Sequence, residues 1–289
     1  MKTFLMCSPE GVYDCLYNIN PWMTGNIHNI DKDRAIHQWE TLRGVLSEVA
    51  QVETRYLTEK LPVPDIVFTA NAGLPFKRGK ENAMILSSFA YAERRSEIPL
   101  QEKWFRDMKY SVYHLGDFFE GAGDALVDTE NRLWVGVGKR SRSEVVSELR
   151  ELTKGYFKEV LEMRLVDSKF YHLDTCFCPL SKGHILWYPG AFDTSSYWKA
   201  ASLVGHRSSG VYVHDTAFRP DMLIDVTEED ANNFACNAIN VDEVIIANKL
   251  SDPLRERLND LGYITIETDM SEFMKAGGAA KCLVLELLD

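Results

Sequence analysis

The chain has 289 residues, 45% hydrophobic and 26% charged, a composition typical of a folded globular protein and unlike that of disordered, collagen-like or fibrous chains. Its 32 lysines and arginines against 43 acidic residues give a net charge of −11, which argues against a nucleic-acid partner and suits a small cationic ligand. Because no apolar run reaches the roughly 20 residues that span a bilayer, and the first residues lack the apolar stretch of a signal peptide, we expect a cytoplasmic protein with no membrane partner.

Short β-rich runs recur along the chain and predict strands. In chain order they cover residues 3–7, 66–70, 83–87, 111–115, 132–137, 160–165, 184–188, 223–226, 244–247, 264–268 and 283–287. Amphipathic runs between them predict helices at 32–49, 102–109, 141–152, 194–203, 227–239 and 252–261. In the helix predicted at 227–239, Thr227 and Asp230 resemble a capping box. No linker divides the chain, so a single domain over 1–289 is the simpler interpretation.

Alternating strands and helices indicate an α/β class, for which a doubly wound parallel sheet is the usual architecture. Two features weaken that choice: no glycine-rich phosphate loop follows an early strand, and strands such as 66–70 and 83–87 come in close pairs before a helix. The strand clusters form about five units of about fifty residues, a length typical of repeat architectures. A ring of β-rich units is therefore the alternative.

Three polar segments stand inside apolar or glycine-rich sequence. In the first, Glu120 and Asp124 flank a Gly-Ala-Gly turn after two phenylalanines, which could form a carboxylate pocket for a cation or simply a solvated turn. In the second, His172, Asp174, Cys176 and Cys178 would share one face if the segment were extended. That face could be a zinc site, a general acid/base histidine beside an acid, or a buried strand.

The third segment is the Gly-Gly-Ala-Ala-Lys-Cys run at 277–282, which precedes the last predicted strand. It would hold Cys282 where a ligand can reach its sulfur, and the neighbouring Lys281 would lower the thiol pKa. The competing interpretation is a cysteine that packs as a small apolar residue. The six cysteines are too few and too irregularly spaced for a disulfide scaffold, so we expect buried thiols and at most one nucleophile.

Taken together, these segments resemble the guanidino-group-modifying superfamily, which includes arginine deiminases, dimethylarginine dimethylaminohydrolases, amidinotransferases and the arginine and succinylarginine dihydrolases. The resemblance covers nearly the whole chain and preserves both order and spacing. It is carried by the segments at 18–23, 64–73, 93–95, 119–124, 138–141 and 171–175 and by the terminal Gly-Gly-x-x-x-Cys. It implies a five-bladed α/β propeller of ββαβ repeats with pseudo-fivefold symmetry around a polar pocket, and this agrees with the five units counted above.

The resemblance also implies roles for individual residues. Cys282 matches the nucleophile, His172 the acid/base, and Glu120 the carboxylate that holds the guanidinium; Asp174 would grip the same group or orient the histidine. The remaining matches are substrate-binding positions: Arg94 and Arg140, which would clamp the substrate α-carboxylate, and Asn20, Asp65, Asn71 and Ala276, which would line the pocket. No metal and no cofactor is implied.

Asn71 is the discriminating position. Deiminases and dimethylarginine hydrolases carry an acid near it, whereas the dihydrolases carry asparagine, whose amide can contact a ureido group after the first ammonia has left. The resemblance therefore implies an arginine dihydrolase, which converts L-arginine and two waters into ornithine, two ammonia and carbon dioxide. The alternatives are a dimethylarginine dimethylaminohydrolase, a deiminase that gives citrulline, an amidinotransferase, and an inactive arginine-binding protein.

Two further expectations concern the chain's surroundings. The basic stretch 75–82 departs from the family pattern and is interpreted as a lengthened loop between two strands. The partner is a small-molecule substrate, L-arginine or a substituted arginine, and a homo-oligomer is possible.

Overall fold

The strands fold into three-stranded sheets, and all but one of these sheets are made of strands that are consecutive in the chain. The computed structural model describes residues 1–55, 62–205 and 222–288, and within them it contains five such sheets. The strands are β1 Thr3–Cys7, β2 Gln51–Arg55, β3 Gly73–Arg78, β4 Glu81–Leu86, β5 Ser111–Tyr113, β6 Ala125–Val127, β7 Arg132–Val137, β8 Glu159–Arg164, β9 Phe177–Pro179, β10 Ile185–Trp187, β11 Leu223–Asp225, β12 Ile239–Val241, β13 Val244–Ala247, β14 Ile264–Glu267 and β15 Leu285–Leu287. The helices are α1 Lys32–Ser47, α2 Glu97–Asp107, α3 Val145–Leu152, α4 Thr194–Val204, α5 Glu228–Asn232, α6 Asp252–Asp260 and α7 Ser271–Met274.

All five sheets have one topology. Their strand orders are β15-β1-β2, β3-β4-β5, β6-β7-β8, β9-β10-β11 and β12-β13-β14. In each, the first two strands pair antiparallel and the last two pair parallel. A parallel pair needs a long crossover, and α1, α2, α3, α4 and α6 lie in the chain between those pairs. The repeat is ββαβ, so the chain is a five-bladed α/β propeller and the doubly wound sheet is excluded.

The ring closes through the two ends of the described chain. Strand β15 pairs antiparallel with β1, with Thr3 opposite Leu287 and Leu5 opposite Leu285. The sheet that begins the chain is therefore completed by its last strand. Cys282 lies in a 3₁₀ turn, Lys281–Leu283, just before that closing strand.

The helices follow the apolar stripes of the sequence. In α1, the Asp31 carboxylate caps the helix by accepting a hydrogen bond from the Arg34 amide, and Trp39, Leu42 and Leu46 are buried. Thr227 caps α5 in the same way by accepting from the Asp230 amide, so the predicted start is confirmed. The predicted extent to residue 239 is wrong, because α5 ends at Asn232 and Phe234 has a left-handed φ of 60°.

Two other predictions are corrected. Residues 66–70 do not form a strand but lie in the 3₁₀ turns Pro64–Val67 and Thr69–Ala72; a short run that is buried throughout has no periodicity to separate the two conformations. The stretch 75–82 is not a lengthened loop but the hairpin of β3 and β4, with Arg78 opposite Glu81 across a two-residue turn in which Gly79 has a φ of 64°. No helix in the described part of the chain is long and apolar enough to cross a bilayer.

Candidate active site

The polar centre of the propeller is built from the segments that immediately precede the first strand of each sheet. Five such segments, before β3, β6, β9, β12 and β15, each carry a buried polar side chain. These side chains are Asn71, Glu120, His172 and Asp174, Asn237, and Cys282, and each is at most 3% exposed. Four of the segments are 3₁₀ turns, so the backbone bends just where a side chain must leave the sheet.

Cys282 belongs to a group that we call the nucleophile cluster, formed with Asp174 and Asn237. The Cys282 thiol donates to Asp174 Oδ2, with Sγ 3.3 Å from the oxygen. Asn237 Nδ2 donates to the same sulfur over 3.1 Å. Asp174 Oδ1 is buried and has no hydrogen-bond partner among the described residues. The cluster therefore holds a sulfur between a carboxylate and an amide, beside a buried carboxylate oxygen that has no hydrogen-bond partner among the described residues.

Asn237 also fixes the backbone around the sulfur. Its Oδ1 accepts from the amides of Ala279 and Cys282 at 3.1 and 3.2 Å, and its Nδ2 donates to the Asp174 carbonyl at 3.0 Å. Its own carbonyl accepts from the Lys281 amide. One fully buried side chain thus ties the segment before β9 to the segment before β15.

The titration of the nucleophile cluster favours its neutral form. Burial raises the pKa of Asp174 to about 6, against the opposing charge of Lys281. Burial and the adjacent Asp174 hold the pKa of the Cys282 thiol well above its ordinary value. The pKa of this thiol is therefore raised and not lowered as expected, and the charge of Lys281 instead lowers the pKa of Asp174 and of Cys178. The surroundings of Cys282 therefore favour its thiol form.

Glu120, Arg140 and His172 form a second group, the ion-pair cluster. Glu120 Oε2 lies 2.7 Å from His172 Nε2 and accepts from the Arg140 guanidinium at 3.0 Å. Glu120 Oε1 accepts from the Ala90 amide. Burial would raise the pKa of Glu120, but Arg140 and His172 outweigh it and hold this pKa below its ordinary range. Glu120 is therefore an anion with both oxygens bound.

A second acid supports this cluster from behind. Asp124 Oδ2 accepts from the Ser141 hydroxyl at 2.7 Å, and Ser141 Oγ in turn accepts from the Glu120 amide. Asp124 Oδ1 accepts from the Leu173 amide at 3.0 Å, next to His172. Burial raises the pKa of Asp124 to about 6. Asp124 thus joins the two turns that carry Glu120 and His172.

Arg94 and Asn71 form a buried network beside the ion-pair cluster. Arg94 donates to both carboxylate oxygens of Glu97, at 2.7 and 2.9 Å, and to Asn71 Oδ1 at 2.9 Å. Asn71 Nδ2 donates to the Glu120 carbonyl. Asp65 Oδ2 is 3.6 Å from Arg94 Nε. Burial raises the pKa of Glu97 to about 7, against the charge of Arg94.

Both arginines that were expected to clamp the substrate carboxylate are buried and paired with protein groups. Arg94 is 3% exposed and is held by Glu97, and Arg140 lies between the rings of Tyr91 and Tyr171, 4.6 Å from each centroid. Both guanidinium groups contact protein carboxylates in the described structure, so their clamping of a substrate carboxylate stays a prediction. Arg140 borders a cavity of about 200 Å³, whereas Arg94 does not.

That cavity opens beside the site on the side of Asn20. It is lined by Asn18, Ile19, Asn20, Pro21, Tyr91, Lys139, Arg140, Ser168 and Tyr171. Asn20 donates to the Ala276 carbonyl at 3.1 Å, which joins both predicted lining residues. A Cβ on Gly277 would lie 2.6 Å from the Tyr171 hydroxyl oxygen, and one on Gly278 would lie 2.6 Å from the Phe68 ring. The Gly-Gly pair is therefore required by the close approach of its neighbours.

The segment with His172 and Asp174 is not extended, so its four polar side chains do not share a face. Residues Leu173–Thr175 form a 3₁₀ turn that sends His172 towards Glu120 and Asp174 towards Cys282. Cys176 and Cys178 instead pack in the apolar core, and all six cysteines are free and buried. Within the described residues no group of three or more His, Cys, Asp or Glu side chains could hold a metal ion.

Sequence reasoning missed Asn237, Ser141 and Glu97. An asparagine between Cys236 and Ala238, in an apolar stretch, carries no motif of its own. The repeat supplies the missing signal, because Asn237 lies before β12 where the other sheets carry Asn71, Glu120, His172 and Cys282. Aligning the five units by the start of each first strand would have identified it.

Comparison with known proteins gives matches along the whole chain. A family model described as N,N dimethylarginine dimethylhydrolase, eukaryotic, matches residues 20–289. The bifunctional arginine dihydrolase/ornithine cyclodeaminase AgrE of a Nostoc species is 46% identical over 99% of this chain, and ArgZ of a Synechocystis species is 44% identical over 99%. The chain spans only 38% and 37% of the length of these two relatives. An uncharacterized protein of Caenorhabditis elegans is 36% identical, and the chain covers 94% of its length.

Solved structures agree with these matches. The N-terminal domain of ArgZ, an arginine dihydrolase, in its product-bound form superposes with a TM-score of 0.89 at 42% identity, covering 100% of this chain and 98% of that chain. A cysteine-to-serine variant of that domain bound to substrate superposes equally well, covering 99% of that chain. An asparagine-to-serine variant is covalently bound to a reaction intermediate. A dimethylarginine dimethylaminohydrolase at 19% identity, with a TM-score of 0.72, has the same fold.

Proposed function

The chain belongs to the N,N dimethylarginine dimethylhydrolase family, and we propose that it hydrolyses the guanidinium group of L-arginine through Cys282. The observation that carries the proposal is the nucleophile cluster, in which Sγ lies 3.3 Å from Asp174 Oδ2 beside an unpartnered Asp174 Oδ1. This pair suits a substrate with a planar cationic group, because the carboxylate oxygen can bind the cation while the sulfur attacks its central carbon. The 46% identity to an arginine dihydrolase supports arginine as that cation.

Charge supports a cationic substrate. The buried acids around the site are Asp65, Glu97, Glu120, Asp124 and Asp174, whereas the buried arginines are Arg94 and Arg140. Burial raises the pKa of Asp174 and of Asp124 to about 6, because too few cations lie near them. A bound guanidinium would ionise these carboxyls and would lower the pKa of the Cys282 thiol. Substrate binding would thus activate the nucleophile.

In the first round, the Cys282 thiol passes its proton to Asp174 Oδ2, and the resulting thiolate forms a bond to the guanidinium carbon. The bond from that carbon to one terminal nitrogen breaks, and ammonia leaves with a proton supplied by His172. His172 is aligned for this task because its Nε2 contacts Glu120 Oε2. Water then gives a proton to His172 and attacks the same carbon, and the carbon–sulfur bond breaks to leave citrulline and free Cys282.

The second round repeats the attack on the ureido carbon. A second ammonia leaves, and water releases a carbamate that decomposes into ornithine and carbon dioxide, so one arginine and two waters give ornithine, two ammonia and one carbon dioxide. Asn71 supports this second round because it is a neutral amide where a carboxylate would repel the carbonyl oxygen of the ureido group. In the ligand-free protein its amide is held by Arg94 and by the Glu120 carbonyl.

Product analysis tests the proposal. L-arginine labelled at the guanidino carbon is incubated with the protein, and ornithine, citrulline, ammonia and labelled carbon dioxide are quantified over time. We expect two ammonia per ornithine. Stoichiometric citrulline without ornithine would identify a deiminase, and release of dimethylamine from dimethylarginine would identify the dimethylarginine hydrolase. Glycine-dependent guanidinoacetate would identify an amidinotransferase, and arginine binding without any product would identify a binding protein.

We also propose a cytoplasmic location, which is supported by six free cysteines that a reducing compartment preserves. A homo-oligomer stays a prediction, and size-exclusion chromatography with light scattering would test it.

A further inference from the structure

Asn237 is the buried polar group of the ring that the proposed chemistry has not used. Its side chain is 0% exposed and is bonded on both its oxygen and its nitrogen. An amide that merely joined two loops would need no contact with a thiol. Asn237 Nδ2 nevertheless directs an N–H to Cys282 Sγ over 3.1 Å, within the range of a hydrogen bond to sulfur.

We propose that Asn237 is a further catalytic residue, which donates a hydrogen bond to the Cys282 thiolate each time the sulfur carries negative charge. The inference rests on the proposed function for the identity of the nucleophile, but not for the substrate. The thiolate appears twice in each round, before it attacks and when it is expelled by water. A fixed N–H that points at the sulfur stabilises both states without reorganisation.

The surroundings of Asn237 explain why it can only donate at this position. Its Oδ1 is held by two backbone amides, those of Ala279 and Cys282, so the side-chain amide cannot rotate to offer its oxygen to the sulfur. Asp174 faces the same sulfur with the opposite character, as an acceptor. The thiol therefore lies between a group that takes its proton and a group that stabilises the resulting anion.

The titration of Cys282 is consistent with this division. Burial and Asp174 raise the pKa of the thiol, and hydrogen bonds from the Ala279 backbone amide and from the Asn237 side chain lower it. The titratable groups that bear on the sulfur are Asp174, Tyr171 and, through Asp174, Lys281. Among these neighbours no cation donates directly to Sγ in the described residues, so the neutral donors, the Ala279 backbone amide and the Asn237 side chain, are the groups that offset the burial of the thiolate, and Asn237 is the side chain among them.

The position in the repeat is an independent argument. Asn237 lies before β12, and the equivalent segments before β6, β9 and β15 carry Glu120, His172 and Cys282. Each unit of the ring thus contributes to the reacting centre from the same place. The segment before β12, where the sequence predicted no site residue, contributes the donor to the nucleophile.

Alkylation of Cys282 by iodoacetamide tests the proposal without any substrate. The rate is measured against pH for the whole protein and for Asn237→Asp, with the modified cysteine identified by mass spectrometry. Because Asp keeps the acceptor for two backbone amides and replaces the donor to Sγ by an oxygen, we expect its alkylation rate at pH 8 to fall about ten- to a hundredfold, with the midpoint shifted to higher pH. With arginine, kcat should fall by a similar factor while KM changes little, since Asn237 does not line the cavity.

Asn237→Ser is the second variant, and Asn248→Ser is the matched control. Asn248 also bonds backbone on both sides of its amide, to Asn233 and Met270, but does not touch the sulfur. Asn237→Ser removes the donor without adding a negative charge, so its midpoint should rise as well; an unchanged alkylation midpoint in a folded Asn237→Ser protein, or an equal shift in Asn248→Ser, overturns the proposal. Loss of the native circular dichroism spectrum in both Asn237 variants assigns the residue to the architecture alone and also overturns it. A wild-type protein that is alkylated normally but does not process arginine would refute the proposed function and leave this inference standing.

Discussion

The nucleophile cluster and the ion-pair cluster both lie before first strands of the same ring, yet their buried carboxylates have opposite surroundings. Glu120 binds Arg140 and His172 through one oxygen and the Ala90 amide through the other, and its pKa is held low. Asp174 Oδ2 accepts from the Cys282 thiol, its Oδ1 has no hydrogen-bond partner among the described residues, and burial raises its pKa to about 6 against the charge of Lys281 and hydrogen bonds from Cys282 and Asn237. Neither residue is exposed, so exposure cannot explain the difference.

The difference lies in the cations that the protein itself supplies. The ion-pair cluster carries its own arginine, and its geometry is complete before substrate arrives. Among the described residues no cation bonds directly to the nucleophile cluster, and burial favours its neutral thiol. If the proposed function holds, the ion-pair cluster is the rigid half, which aligns the acid/base, and the nucleophile cluster is the half whose charge responds to the ligand.

Removal of the sulfur should have the largest effect on the nucleophile cluster. Cys282→Ser should lower the turnover of arginine by at least about 10⁴-fold, because a serine at this position has no base that can ionise it. Ornithine release is the measurement, and Cys178→Ser is the control, since its hydroxyl can donate to the Ala238 carbonyl that Cys178 contacts at 3.5 Å. Comparable turnover in the two variants would contradict the assignment.

Neutralising Glu120 should damage the ion-pair cluster in both activity and stability. Glu120→Gln leaves Arg140 buried without its carboxylate, so we expect a loss of about 3–5 kcal/mol in the free energy of unfolding and at least about 100-fold in kcat/KM. Urea denaturation and steady-state kinetics measure the two quantities. Retention of full stability would show that Arg140 finds another partner.

The same change in the nucleophile cluster should have the opposite effect on stability. Asp174→Asn removes a carboxyl that the ligand-free protein ionises only at a cost, so the free energy of unfolding at pH 8 should rise by about 1–3 kcal/mol, while activity is lost. Urea denaturation at pH 8, in parallel with Glu120→Gln, compares the two clusters directly. If both variants were destabilised equally, the distinction between the clusters would not hold.

The stability gap between wild type and Asp174→Asn should also depend on pH in a definite direction. The folded-state pKa of Asp174, about 6, lies above the value of about 3.9 for an unfolded chain, so the folded protein binds the extra proton between these values. The stabilisation from this proton is complete below pH 4 and is lost as the pH rises through about 6. The two proteins should therefore converge below about pH 4 and differ most above pH 7; a constant gap would argue against ionisation as the cause.

The smallest expected effect concerns Asn71, which contacts Arg94 and the Glu120 carbonyl and touches neither reacting sulfur nor histidine. Asn71→Asp should shift the product ratio from ornithine towards citrulline by a few-fold, up to about tenfold, because the new carboxylate disfavours a ureido group. The citrulline-to-ornithine ratio at early times is the measurement. An unchanged ratio would assign the second round of hydrolysis to other residues.

Some of this arrangement could be predicted from residues alone, and some could not. Glu120, His172, Asp174 and Cys282 carry reactive groups within short motifs, and the structure places all four around one centre. Their pairing could not be predicted, because an extended segment would send His172 and Asp174 to the same side, whereas the 3₁₀ turn Leu173–Thr175 divides them between the two clusters.

The number of blades could be predicted from the sequence, because clusters of strands separated by helices form about five units. The short first strands β6, β9 and β12 were missed because three residues give no periodicity to detect. Asn237 was missed for a related reason, since it lies in the segment that precedes one of these strands.

The closure of the ring by β15 has a consequence for how the protein is made. The sheet that contains Thr3 is complete only after Leu287 has been synthesised. Because this contact spans nearly the whole described chain, it forms late and slowly. At synthesis rates of about 5–20 residues per second, that delay is roughly 15–60 s. Cys282 lies just before β15, so its sulfur and the strand that closes the ring leave the ribosome nearly together. The proposed nucleophile is therefore synthesised only when the ring that buries it can close.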